Sequence, residues 1–130
     1  MNGKFTLEIF ENVSNPFIKF FIVSVNGKSL FVDFVNKLKQ KDDMDGLYSI
    51  ISSMDNFGKK NIIFTEKKFR HINKSNKGLR KDIYEFKGNN IRVYGIKSDS
   101  VFYILSAGWK KNQDKDIAKV FRLFNDFPEF

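Results

Sequence analysis

Arg92 and Tyr94 alternate with Ile91 and Val93, and a short run further on, Gly108-Trp109-Lys110-Lys111-Asn112-Gln113, sets a glycine and an aromatic beside two lysines. Cations next to aromatics at strand ends suit a ligand that carries phosphates and stackable bases, which points to RNA. Cleavage of RNA through its own 2′-hydroxyl needs that proton removed, a charged phosphorane stabilised and the leaving oxygen protonated. Arg92, Lys110 and Lys111 can supply the charge stabilisation. Imidazoles and carboxylates are the usual proton carriers, which makes His71 and Glu85 the candidate general bases. Lys67, Lys68, Arg70, Arg80 and Lys87, with Tyr94 and Trp109, are the candidate RNA contacts. Each residue also has a plain structural role open to it. Arg92 can pair with Glu85 across strands, Trp109 can anchor a core rim, and His71 can simply be a surface residue among lysines.

The charge distribution favours a polyanion. The formal net charge is +8, and residues 59–111 hold 14 Lys/Arg against 4 Asp/Glu, whereas residues 1–58 hold 6 against 7 and residues 112–130 hold 3 against 4. Phosphate neutralisation requires cations gathered on one surface, so a basic middle between balanced ends is the pattern expected of a nucleic-acid face or of a face for an acidic protein. A solvated lysine surface is the bland alternative. Other chemistries lack their residues. With no Cys and one His, thiolate sites and a three-ligand zinc site are excluded unless carboxylates cluster, and they do not. Neither a phosphate-cradling glycine loop nor a nucleophile elbow is present. No metal and no small-molecule cofactor is expected. The N-terminus lacks a basic start followed by an apolar run, and no stretch is apolar enough to cross a bilayer, so the expected location is the cytoplasm, without membrane contact.

These residues need a scaffold. At 130 residues the chain is sized for one domain spanning 1–130, and 16 Phe supply ample core material. Phe5, Leu7 and Ile9 alternate with polar residues, and Phe17–Val25 is rich in β-branched and aromatic residues, which predicts a two-stranded hairpin. After Asn26-Gly27 the period changes. Phe31, Phe34, Val35 and Leu38 predict a helix over 29–41. Asp42-Asp43 can cap a second helix, in which Leu47, Ile50, Ile51 and Met54 repeat the spacing up to Gly58. Residues 59–82 read mostly as loop, anchored by Ile62-Ile63-Phe64 and followed by Lys67, Lys68, Arg70, His71, Lys74 and Lys77. Strands over 83–87, 91–97 and 101–109, joined by short turns, predict an antiparallel meander, and Ile117, Val120, Phe121 and Phe124 mark a closing helix over 114–126. The expected fold is α+β, order β β α α β β β α, with helices over one face of an antiparallel sheet.

Four segments carry a family resemblance. Gly27–Leu38 resembles the first helix of HigB-like, phage-derived toxins of the RelE/ParE superfamily, and Leu79–Phe86 is similar to that family's strand with an aromatic-Glu pair. Asn90-Ile91-Arg92-Val93-Tyr94 resembles its arginine-bearing strand. Ile104–Gln113 resembles its hydrophobic strand followed by Gly, an aromatic, Lys-Lys and polar residues. The resemblance spans residues 18–126 and implies a RelE-like toxin of a type II toxin-antitoxin system, neutralised by a cognate antitoxin and cleaving mRNA on the ribosome without metal. It also implies that Arg92 acts on the scissile phosphate and that Lys110 and Lys111 form the basic strand end. The chain departs from the RelE branch at Ile83 and Glu85, where that branch has lysines, and at Asp116, where it has a tyrosine. Two other functions share the scaffold: a ParE-like gyrase inhibitor, and a non-catalytic RNA- or protein-binding module.

Overall fold

The computed structural model describes residues 3–57, 68–72 and 83–128. Gly58, Ile62, Ile63, Phe64, Lys67, Lys74, Lys77 and Arg80, all named in the sequence reading, lie outside the described residues. The elements are β1 (Phe5–Ile9), β2 (Lys19–Val25), α1 (Leu30–Gln40), α2 (Asp45–Asn56), β3 (Phe69–Ile72), β4 (Ile83–Gly88), β5 (Ile91–Ser98), β6 (Val101–Trp109) and α3 (Gln113–Leu123), with a 3-10 turn at Lys110–Asn112 leading into α3. They form an α+β domain with one six-stranded sheet of order β1-β2-β6-β5-β4-β3.

The structure corrects three expectations. The sheet is mixed, because β2 pairs parallel to β6 while every other neighbouring pair is antiparallel. A strand occurs where a loop was expected: Phe69–Ile72 pairs with Phe86–Ile83. Four residues are too few for periodicity to declare a strand, and β3 depends on β4 for its hydrogen bonds. Lastly, the helices cover both faces. One core gathers Phe31, Phe34, Leu38, Leu47, Ile50 and Met54 of α1 and α2 against Phe20, Ile22, Phe86, Val93 and Phe102 of the sheet. The other gathers Ile117, Val120 and Phe121 of α3 against Val23, Val25, Ile83, Ile96 and Leu105. Strand alternation makes this legible afterwards: β4, β5 and β6 are apolar on both sides, as strands buried on both faces must be.

Local chemistry sets the boundaries. The Ser29 hydroxyl caps α1 by accepting from the Val32 amide at 3.1 Å, and Lys37 and Lys39 complement the helix dipole in its last turn. The expected Asp42-Asp43 cap does not form. Asp42 adopts a left-handed conformation (φ 52°), and α2 starts after Met44 without a side-chain cap. It is held by packing instead: Gly46 in its first turn and Gly88 at the end of β4 face each other so closely that a Cβ on either would strike the other's carbonyl. Asn26, Asn89 and Asp99 take the left-handed turn positions, which short polar side chains tolerate, and so close the turns the sequence predicts.

One irregularity positions the site. Tyr94 pairs with Ser106 while Gly95 pairs with Ile104, which leaves Leu105 as the extra residue of a β-bulge. The bulge shifts the inward and outward alternation of β6 by one. Ala107 and Trp109 therefore face α1, and Ser106 and Gly108 face α3.

Candidate functional site

Two polar rows cross the sheet on its α3 side. The inner row follows the strand register: Arg70 on β3 lies opposite Glu85 on β4, Glu85 opposite Tyr94 on β5, and Tyr94 opposite Ser106 on β6. Glu85 is wholly buried (0 % exposed). Its carboxylate accepts from Arg70 Nε at 2.7 Å and lies 2.5 Å from Arg70 Nη2, and it accepts from Gln113 Nε2 at 2.9 and 3.2 Å. Burial of a carboxylate is tolerable only with such partners.

The outer row carries the cations. Arg92 lies opposite Lys87 on one side and Gly108 on the other, and the Lys87 amide donates to the Lys68 carbonyl at 2.8 Å, so Lys68 adjoins the same row. Arg92 is 7 % exposed. Its Nη1 donates to the carbonyls of Ile91 (2.8 Å) and Asn89 (3.1 Å), and its Nε is 3.9 Å from Glu85 Oε1. The pairing of Arg92 with Glu85 is thus looser than that of Arg70, and one carboxylate serves two guanidinium groups. A surplus positive charge is left below the surface at this end of the sheet. The exposed Lys110 and Lys111 sit on the same end, where the Lys110 amide donates to the Asn90 carbonyl at 2.7 Å.

Sequence alternation places Arg92 and Tyr94 on one face as expected, but their surroundings change several roles. Tyr94 is 0 % exposed, which corrects its assignment as a base-stacking contact, since no base can reach its ring. Its hydroxyl is pushed far above the ordinary phenol range, chiefly by burial and then by the charges of Glu85 and Asp116. Trp109 packs edge-on against Phe34 of α1 with centroids 5.1 Å apart, and Lys41 lies over its ring at 5.4 Å. That is mainly a packing role. His71 is exposed but pairs with Tyr84, its ring 5.0 Å away, on the sheet face opposite Arg92, so it is not brought to the cations. Glu85 is beside Arg92, yet its oxygens are occupied by Arg70 and Gln113. Arg70, Lys68 and Lys87 join the rows. Lys67 and Arg80 lie outside the described residues.

The residue that sequence reasoning missed as chemistry is Asp116. It sits in the first turn of α3 with its carboxylate resting on Gly108, where any side chain on the strand would displace it. Burial raises its carboxyl above the usual range, opposed by the charges of Lys119, Lys115 and Lys37. Asp116 Oδ2, the Tyr94 hydroxyl and Arg92 Nε are buried and have no hydrogen-bond partner among the described residues. In the sequence, Asp114 and Asp116 look like ordinary dipole-complementing acids at a helix start. The one signal is Gly108 itself, since a glycine inside an otherwise apolar strand marks a close approach by another group. Among the described residues no group of three or more His, Cys, Asp or Glu could hold a metal ion, and no helix is long and apolar enough to cross a membrane.

Comparison with protein-family models, with curated proteins and with solved structures finds no match to this chain.

Proposed function

We propose that the protein is a RelE/HigB-like toxin of a type II toxin-antitoxin system, acting in the cytoplasm as a ribosome-dependent endoribonuclease that cleaves mRNA through the RNA 2′-hydroxyl without a metal. The observation that carries this reading is the cationic row Lys68–Lys87–Arg92, ending at the glycine of β6 and flanked by Lys110 and Lys111. Neighbouring strands lie about 4.8 Å apart, so cations on successive strands are spaced on the scale of successive phosphates in an RNA strand. The surplus charge shared by Arg70, Arg92 and Glu85 strengthens the field there, because a cation in low dielectric is poorly screened. The strand–helix–helix–meander–helix order over residues 19–123 supports the same reading. The partners it requires are mRNA, the ribosome with its rRNA, and a cognate antitoxin that is acidic where it covers the row.

The buried state of Arg92 favours a second reading. A guanidinium held by two main-chain carbonyls is also what a binding module without catalysis would keep, and a ParE-like gyrase inhibitor would need protein contacts rather than this row.

The exposed lysines test the nucleic-acid claim without disturbing the core. Lys110→Ala/Lys111→Ala is expected to fold normally and to weaken binding of a single-stranded RNA oligonucleotide. The slope of log affinity against log salt should fall in magnitude by about 0.7 for each phosphate that is no longer neutralised. Unchanged affinity and slope would remove the row from the RNA interface.

A further inference from the structure

We propose that Asp116 is the proton acceptor for the RNA 2′-hydroxyl, in a cleft between α1 and α3 floored by the bulged end of β6. This rests on the ribonuclease reading and adds the group which that reading left unnamed.

The cleft exists because the parallel ladder between β2 and β6 ends at Ile22 and Ile104. Beyond it, β6 is flanked by α1 on one side and the start of α3 on the other. The opening has a volume of about 210 Å³, and Lys37, Ser106, Gly108, Asp116 and Lys119 are among its lining residues. The cation row of the sheet arrives at it, since Arg92 is the register partner of Gly108.

Three observations separate Asp116 from a carboxylate that merely begins a helix. It is half-buried yet lines the cleft, with one oxygen fully sheltered and unpartnered among the described residues. The strand beneath it is glycine, so the carboxylate lies against backbone with no side chain between. The Tyr94 hydroxyl behind it is completely buried, also has no partner among the described residues, and feels the charge of Asp116. An unpartnered polar side chain at this depth is uncommon in a structural core.

The step balances with residues present. The Asp116 carboxylate takes the 2′-hydroxyl proton, O2′ bonds to phosphorus, the P–O5′ bond breaks, and O5′ takes a proton from the Lys119 ammonium. The products are a 2′,3′-cyclic phosphate and a 5′-hydroxyl, and water then resets both groups. The charged or titratable groups facing Asp116 are Lys115 and Lys119 on α3, Lys37 on α1 and Tyr94 on β5, while β6 presents only Ser106 and Gly108. Burial is the largest influence and favours the protonated carboxyl, so cleavage should rise with pH through a limb above the usual carboxylate range.

The test is single-turnover cleavage of ribosome-bound mRNA by the full chain across pH, with Asp116→Asn and Gly108→Ala beside the wild type. Asp116→Asn is expected to lose at least about 100-fold in rate together with the acid limb, while its affinity for a single-stranded RNA oligonucleotide stays within about twofold. Gly108→Ala, whose methyl displaces the carboxylate, should lose rate in the same way. Stability gives an independent check. A carboxyl whose folded pKa is raised penalises the folded state once pH exceeds its unfolded value, so Asp116→Asn should melt no lower than wild type at neutral pH, and any gain should vanish in acid. Wild-type rates in folded Asp116→Asn, or an acid limb that survives the substitution, overturn the assignment and leave the ribonuclease reading standing. A wild-type protein that cuts no ribosome-bound message overturns both.

Discussion

Glu85→Ala is expected to destabilise the domain by about 3–5 kcal/mol, the cost typical of removing one partner from a buried ion pair. The carboxylate is wholly buried and is the shared counter-charge of Arg70 and Arg92. Arg70, with a side chain 38 % exposed, can turn to water when Glu85 is removed. Arg92 cannot, because it is 7 % exposed and fixed to two carbonyls, so its charge is left in low dielectric. Urea unfolding of Glu85→Ala, Arg70→Ala and Arg92→Ala should rank Glu85→Ala as the most damaging and Arg70→Ala as the mildest. A cost under about 1 kcal/mol for Glu85→Ala would mean that water reaches this row and that the buried-charge account is wrong.

Phe86→Ala should cost a similar amount, about 3–5 kcal/mol, for a different reason. Its ring is fully buried at the centre of an aromatic cluster, with centroids 4.7 Å from Phe69, 5.2 Å from Phe102, 5.7 Å from Phe57 and 6.2 Å from Phe20. Truncation leaves a cavity whose walls belong to β2, β3, β6 and the end of α2, which cannot all collapse inward. Phe69 is half of what holds the four-residue edge strand β3, so removing its partner should also loosen Arg70 from Glu85. Phe86→Leu, which keeps most of the volume, is expected to cost less than half as much. Equal costs for the two variants in chemical denaturation would show that the cluster is not tightly packed.

Much of the frame was legible in the sequence because it is written in periodicity. β1, β2, α1, α2, the three strands of the meander and α3 begin and end within a few residues of where apolar spacing and turn residues put them. The arrangement of those elements was less legible. Nothing in Lys19–Val25 announces a parallel partner, since pairing direction is decided by the crossover and not by the strand's own residues. The C-terminal helix has one apolar stripe whichever sheet face it covers. The bulge at Leu105 was invisible for a similar reason: one extra residue leaves the hydrophobic run Val101–Leu105 unchanged and only redirects Ser106 and Gly108.

The candidate site divides in the same way. Arg92 stood out because a cation inside an apolar strand needs an explanation, and alternation alone assigned its face. Tyr94 and Trp109 were misread toward function because an aromatic near cations looks alike in sequence whether it is buried or exposed. His71 was separated from Arg92 by the one strand that periodicity could not detect. Asp116 was overlooked because its unusual features, a glycine floor and a sheltered oxygen, are tertiary.

The central claim is that this basic domain cuts translated RNA with the groups at the ends of β5 and β6. Controlled expression in a bacterial host, followed by mapping of RNA 5′ ends after induction with Arg92→Ala and Asp116→Asn in parallel, tests it most directly. The account predicts growth arrest with new 5′-hydroxyl ends inside translated messages, strongly reduced in both variants at equal protein levels. Arrest without new ends would contradict it in favour of a gyrase-type target, and no arrest at all would contradict it in favour of a binding module.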